Sequence, residues 1–198
     1  MNSSPLLIVI SGPSGVGKDT VIGEIKKRQH NIHHTVTCTT RAVRTGESDG
    51  VDYHFVSEDQ FKQTINEGGF LEWAEVYGNL YGTPKPQIRQ ALKSGLDVIA
   101  KVDVQGAISI KEIVPDALYI WISAPSLKKL DERLKKRNSD SQKDIELRIE
   151  TAHREIESVH IFDYVVINEE GHPDKAASQI LNIMAMEKNK AMPRHISL

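Results

Sequence analysis

The chain has one cysteine, no long apolar run, almost no net charge and no internal repeat, and each absence removes a class of function. Cys38 has no second thiol to pair with, so no internal disulfide forms. No histidine stands at a spacing that marks Cys38 as a nucleophile, and it reads as a small space-filler. The run Leu6-Leu7-Ile8-Val9-Ile10 is far too short for a signal-peptide core or a membrane span. These features favour a reducing cytoplasm and argue against a membrane partner. A formal net charge of −2 supplies no general basic field, so long nucleic acid is disfavoured and anionic ligands must be small and held by local clusters. Monomer and homodimer both stay open. What is present, 198 residues with 39% hydrophobic and 26% charged, suits one globular unit carrying insertions.

Directly after the apolar run comes Ser11-Gly12-Pro13-Ser14-Gly15-Val16-Gly17-Lys18-Asp19-Thr20, a strand leading through a glycine-rich turn to a helix start. Without side chains at Gly12, Gly15 and Gly17 the backbone can wrap a polyphosphate and aim successive N–H groups at its oxygens. The following helix adds its positive dipole end and Lys18 a mobile charge. Gly12, Pro13, Ser14, Gly15, Val16, Gly17, Lys18, Asp19 and Thr20 are therefore candidates for holding a nucleoside triphosphate. The pattern normally continues with Ser or Thr on Mg²⁺; here Asp19 follows the lysine and Thr20 comes one step later, so both are candidate metal contacts.

Apolar runs at Leu6–Ile10, Asp97–Val102, Leu118–Ile122 and Tyr164–Ile167 alternate with helical patterns after Gly17, Thr83, Gln105, Ser126 and Pro173. That alternation predicts an α/β fold with a parallel sheet covered on both faces. Between the first two units lies a different region with short strands at Tyr53–Val56 and Phe70–Val76 and a helix from Glu58 to Asn66, opened by a Ser57/Gln60 capping box and closed by Gly68-Gly69. The predicted division is a core of residues 1–32, 84–125 and 159–198, an inserted mixed α/β subdomain over 33–83, and a helical lid over 126–158. The stretch from Lys188 to His195 is polar, holds a proline and is expected to fray.

In the lid, Leu127, Leu130 and Leu134 form a stripe, a basic polar turn interrupts it, and Ile145, Ile149 and Ile156 resume it. Phosphoryl transfer needs cations over the transferring group and water kept out, which a lid bearing Arg133, Arg137 and Arg148 would supply. In the insert, Thr37-Cys38-Thr39-Thr40-Arg41-Ala42-Val43-Arg44-Thr45-Gly46-Glu47 sets two arginines among hydroxyl residues, a combination suited to a phosphate monoester.

The glycine loop, the T-T-R-x-x-R-x-G-E run and Phe70 to Thr83 together resemble the guanylate kinases. The similarity continues through Asp103-Val104-Gln105-Gly106, the Arg137 turn and Asp163 to Asn168. The resemblance implies a P-loop NTPase-type sheet with a GMP-binding insert and a lid, and transfer of the γ-phosphoryl group of ATP to GMP with Mg²⁺. It assigns guanine to Thr37, Glu72 and Thr83, the GMP phosphate to Arg41, Arg44, Tyr53 and Tyr81, and adenine to Asn168. Asp103 is a polar partner near GMP or the metal. Lys18, Arg44, Arg137 and Arg148 are the implied catalytic residues. The chemistry of Glu72 stands independently: a carboxylate accepts from the N1–H and 2-amino group of guanine, whereas adenine presents a bare acceptor there, a mismatch costing about 1–3 kcal/mol.

Two positions depart from the family pattern. Asp19 replaces a hydroxyl or glycine, and Lys101 replaces the first acid of an acidic-x-acidic strand end that here reads Lys101-Val102-Asp103. Lys101 either adds charge beside the phosphates or pairs with an acidic neighbour. Two rival readings remain: a kinase of the same architecture acting on another phosphorylated acceptor, and a binding module that uses the acceptor pocket without catalysis.

Overall fold

The computed structural model describes residues 4–76, 78–135 and 142–198. Strand β1 (Leu7–Ser11) is buried along its whole length, which is why its sequence is continuously apolar rather than alternating. It pairs in parallel with β7 (Asp97–Lys101) on one side and β8 (Leu118–Ser123) on the other. Strands β2 (Ile32–His34) and β9 (Tyr164–Ile167) extend this sheet to the order β2-β7-β1-β8-β9. Three residues are too few to show a strand period, and β2 escaped the sequence pattern; His33 and His34, grouped above with the insert, pair in register with Val98 and Ile99 of the parallel sheet.

Alternate residues of β1 enter two cores. Ile8 and Ile10 join Val21, Ile22 and Ile25 of α1 (Lys18–Arg28), Leu130 and Leu134 of α5 (Leu127–Lys135) and Ile180 and Ile183 of α7 (Pro173–Lys188). Leu7 and Val9 join Ile88 and Ala91 of α3 (Lys85–Lys93) and Ala107 and Ile110 of α4 (Val104–Ile113) on the opposite face. The sheet is thus sandwiched between helices, and the carboxyl ends of β1 and β7 open toward one crevice.

The insert forms a four-stranded sheet ordered β4-β3-β6-β5, from β3 (Thr37–Thr39), β4 (Tyr53–Phe55), β5 (Phe70–Val76) and β6 (Asn79–Pro84). Helix α2 (Glu58–Asn66) carries the expected reciprocal cap: the Gln60 amide donates to Ser57 Oγ at 3.2 Å and the Ser57 amide donates to Gln60 Oε1 at 2.9 Å. A register shift between Phe70 and Glu72 breaks the alternation of β5. Three successive residues are buried there: Phe70 stacks on Phe61 with ring centroids 4.4 Å apart, Leu71 enters the second core, and Glu72 faces the crevice.

Helix α6 (Gln142–Ile156) returns antiparallel to nothing in the sheet but rests Ala152, Ile149 and Ile156 on the first core. The expectation that the C-terminal stretch frays is corrected. Arg194 donates to Glu187 at 2.8 Å and to the Ala117 carbonyl at 2.7 Å and lies 3.2 Å from Asp163, while Ile196 and Leu198 pack against the second core.

Candidate active site

The loop between β1 and α1 needs its glycines for both conformation and space. Gly12, Gly15 and Gly17 have φ of 148°, 80° and 92°. A Cβ on Gly12 would lie 2.2 Å from the Ile122 carbonyl oxygen, and one on Gly17 would lie 2.5 Å from Asn168 Nδ2. Gly17 also caps α1, so the first amides of that helix face the crevice without a side-chain cap. Lys18 Nζ donates back to the carbonyls of Gly12 at 2.5 Å and Pro13 at 3.2 Å. Burial holds the Lys18 pKa below the ordinary lysine value, against the pull of Glu155 and Asp19. The amide of Ser14 donates to Glu155 Oε2 at 3.1 Å, so a carboxylate from α6 occupies an anion position on the loop.

A cavity of about 570 Å³ runs from this loop to the insert, lined by residues 14–20 together with Thr37, Tyr53, Glu72, Tyr81, Lys101 and Asp103. Eight of the candidate residues expected to meet ligand do not line it: Gly12, Pro13, Arg41, Arg44, Thr83, Arg133, Arg148 and Asn168. Thr83 acts from behind. It stands opposite Glu72 across the β5–β6 pair, and its hydroxyl donates to Glu72 Oε1 at 2.6 Å. Burial pushes the Glu72 carboxyl up to about 7; the Thr83 hydrogen bonds oppose the rise and the negative Asp103 adds to it. Gly106 makes room for that carboxylate: a Cβ there would lie 2.9 Å from Glu72 Oε2.

Arg41 is held by Glu47 in a two-pronged ion pair at 2.8 and 3.0 Å, with its guanidinium carbon 5.4 Å from the Tyr53 ring centre. Tyr53 in turn meets Tyr81 edge-on at 6.1 Å. The Arg44 side chain is exposed, and its backbone amide donates to Glu47 at 2.9 Å. Arg133 and Asn168 brace the glycine loop: Arg133 donates to the carbonyls of Val16 at 3.1 Å and Asn168 at 2.8 Å, and Asn168 Nδ2 donates to Val16 at 2.8 Å. Arg148 lies on α6, part-buried, and Arg137 lies outside the described residues. Burial first, then Asp49, raises the Cys38 thiol to about 11, which keeps it un-ionised and chemically inert at neutral pH.

Sequence reasoning missed Glu155 and the role of Gly106; of its two alternatives for Lys101, pairing with an acidic neighbour is observed, and the partner it did not name is Asp19, 2.5 Å away. Asp103 caps α4 by accepting from the Gly106 amide at 2.7 Å, a role that the Asp-x-x-Gly spacing could have signalled. Glu155 had no local signal, because its partner is 141 residues away in sequence.

A glycine loop at the carboxyl edge of a parallel sheet covered on both faces, opening on a cavity shared with the insert, defines a P-loop NTPase-type α/β protein. The guanylate kinase family model matches residues 4–187. Guanylate kinase of Clostridioides difficile (strain 630) is 42% identical over 93% of this chain and 89% of its own, and that of Streptococcus thermophilus (strain LMG 18311) is 47% identical over 86% and 82%. The crystal structure of guanylate kinase from Anaplasma phagocytophilum superposes with a TM-score of 0.79 at 31% identity, covering 96% of this chain and 89% of that one. The chain belongs to the guanylate kinase family.

Proposed function

We propose that the protein transfers the γ-phosphoryl group of ATP to GMP, giving ADP and GDP. The observation that supports this reading is that buried Glu72, backed by the Thr83 hydroxyl, lines the same cavity as the Lys18 loop, as a guanine acceptor and a triphosphate cradle sharing one crevice would require. Guanine donates its N1–H and 2-amino hydrogens to Glu72, with Thr37 beside it. The acceptor phosphate meets Arg41, Arg44, Tyr53 and Tyr81, and Asp103 borders it. The loop amides and Lys18 take the triphosphate, and Asn168 with Arg133 supports the adenine side.

The acceptor phosphate is ionised at neutral pH and needs no general base. One of its oxygens forms a bond to Pγ while the bond from Pγ to the β–γ bridging oxygen breaks, and the electron pair leaves on ADP. Protein groups align the two phosphates and offset their repulsion. Arg44 acts from the acceptor side, and Arg137 and Arg148 act from the lid.

Asp19 and Thr20, adjacent at the start of α1 and both lining the cavity, offer the hard oxygen donors that fit Mg²⁺ beside phosphate oxygens. Among the described residues no three His, Cys, Asp or Glu side chains cluster into a ready cage, which accords with a metal held largely by nucleotide and water. Mg²⁺ held by Asp19 and Thr20 would supply positive charge against the triphosphate. Among the described residues no helix is long and apolar enough to cross a membrane; with the unpaired Cys38, this supports a cytoplasmic site of action.

The test is ADP release from ATP and Mg²⁺ with GMP, AMP, dTMP or no acceptor, run side by side. Turnover dependent on GMP and at least tenfold slower with the others is expected. A folded protein that binds GMP and turns over with none of them overturns the reading in favour of a binding module.

A further inference from the structure

The two departures from the family pattern, far apart in sequence, meet in the structure. Lys101 ends β7, and its in-register partner on β1 is Ile10, next to the residue that opens the glycine loop. Its ammonium bonds Asp19 Oδ1 at 2.5 Å and lies 5.8 Å from the ring centre of Tyr53. Lys101 lines the 570 Å³ cavity and also a smaller neighbouring one of about 200 Å³ under the insert. The pair is oriented: the lysine side chain is 33% exposed and the aspartate 80%, so the cation is the inner member and the carboxylate the outer one.

From these positions we propose that Lys101 is a further catalytic residue, an ammonium that touches the phosphoryl group in transit, and that Asp19 is the tether that holds it there. The inference rests on the phosphotransferase reading above. Lys101 lines the same cavity as Lys18 and Asp19 of the triphosphate loop and Tyr53 of the acceptor-phosphate set, and its ammonium lies between Asp19 and the Tyr53 ring. Two polyanions brought together in this cavity repel, and a fixed cation facing it offsets that repulsion. A strand end holds its Cα rigidly, and the ion pair restricts the four-carbon stem, so little side-chain entropy remains to be lost on contact with phosphate. The bland alternative is that Lys101 only neutralises Asp19, a carboxylate that would otherwise repel the triphosphate.

A double-mutant cycle separates the two. Turnover at saturating ATP, GMP and Mg²⁺, and KM for GMP, are measured for the unmodified protein, K101M, K101R, D19S and K101M/D19S, with thermal melts to confirm folding. If Lys101 touches phosphate, Lys101→Met lowers kcat on the order of 10²-fold with a smaller change in KM, K101R recovers most of the loss, and D19S, which loosens the lysine without removing it, costs less than K101M. If K101M/D19S turns over as fast as D19S, Lys101 serves only Asp19 and the inference falls. A D19S at least as slow as K101M overturns it too, because the working charge is then the carboxylate. Absence of GMP-dependent turnover in the unmodified protein refutes the underlying kinase reading instead.

Discussion

Replacing Glu72 by Gln should make the empty protein more stable and a poorer GMP binder, by amounts that depend on pH. Glu72 is 9% exposed, and its carboxyl, ordinarily near 4.5, is pushed up to about 7 mainly by burial. The folded pKa lies above the unfolded one, so the folded state favours the proton. The group costs nothing below pH 4.5, and its cost grows as pH rises and is complete above 7. The difference between 4.5 and 7 corresponds to about 3 kcal/mol at pH 8, falling below about 1 kcal/mol at pH 5. Gln keeps an acceptor for the Thr83 hydroxyl and carries no charge, so Glu72→Gln should raise stability by about 3 kcal/mol at pH 8 and by almost nothing at pH 4.5. Urea unfolding without nucleotide at four pH values measures this. GMP selects the ionised fraction, which is about one in eleven at pH 6 and ten in eleven at pH 8, so the parent's dissociation constant, divided by that of the Gln variant, should weaken about tenfold from pH 8 to pH 6. The phosphate of GMP titrates near pH 6 in both proteins and drops out of the comparison. A stability difference that is flat with pH, or a variant less stable at pH 8, refutes the reasoning.

Three further outcomes are expected. Arg137→Ala should reduce turnover by about 10³ with a smaller effect on GMP affinity, read by steady-state kinetics; near-normal kcat removes it from the catalytic set. Gly106→Ala puts a methyl group 2.9 Å from Glu72 Oε2 and should weaken GMP binding about tenfold by calorimetry while leaving ATP binding intact. Equal loss for both nucleotides would mean that the loop itself had moved. Arg194→Ala strips a partner from the buried Glu187, whose hydrogen bonds to Lys190, Tyr164 and Arg194 overcome burial and hold its pKa near about 2. A loss of about 3 kcal/mol in urea at pH 7 is expected. Because the folded pKa is depressed, the stabilisation is present above pH 4.5 and disappears as pH falls toward 2, so the penalty should shrink in acid.

What the sequence made legible follows from how local each signal is. The β1 loop and α1 are contiguous, and the Ser57/Gln60 cap spans three residues, so each was readable from its own segment. Strands β2 and β3 have three residues each, below the length at which a period of two can be seen, and β6 contains Gly82 and ends at Pro84, which weakens its strand signal. Glu72 was visible only through family resemblance. Its burial depends on the irregular register of β5 and on the space left by Gly106 on another element, neither of which strand periodicity encodes. Lys101 and Asp19 were each visible as anomalies, but their contact is a property of parallel register.

In a chain with a net charge of −2, four of the cations and amides assigned above to phosphate each have a protein partner. Lys18 is engaged by loop carbonyls, the Ser14 amide by Glu155, Arg41 by Glu47 and Lys101 by Asp19. Each of these four groups thus has a protein oxygen as its acceptor. On the proposed function, nucleotide binding is an exchange of acceptors rather than the neutralisation of exposed charge, and its free energy is the difference between two sets of charge-assisted bonds. The exchange also couples the lid to the loop. A phosphate on the Ser14 amide must displace Glu155, and Glu155 belongs to α6, the same helix that carries Arg148. Glu155→Gln should consequently tighten ATP binding, read by calorimetry, because a neutral amide holds the loop less strongly than a carboxylate. Weaker ATP binding would show that the carboxylate instead positions the loop for its ligand.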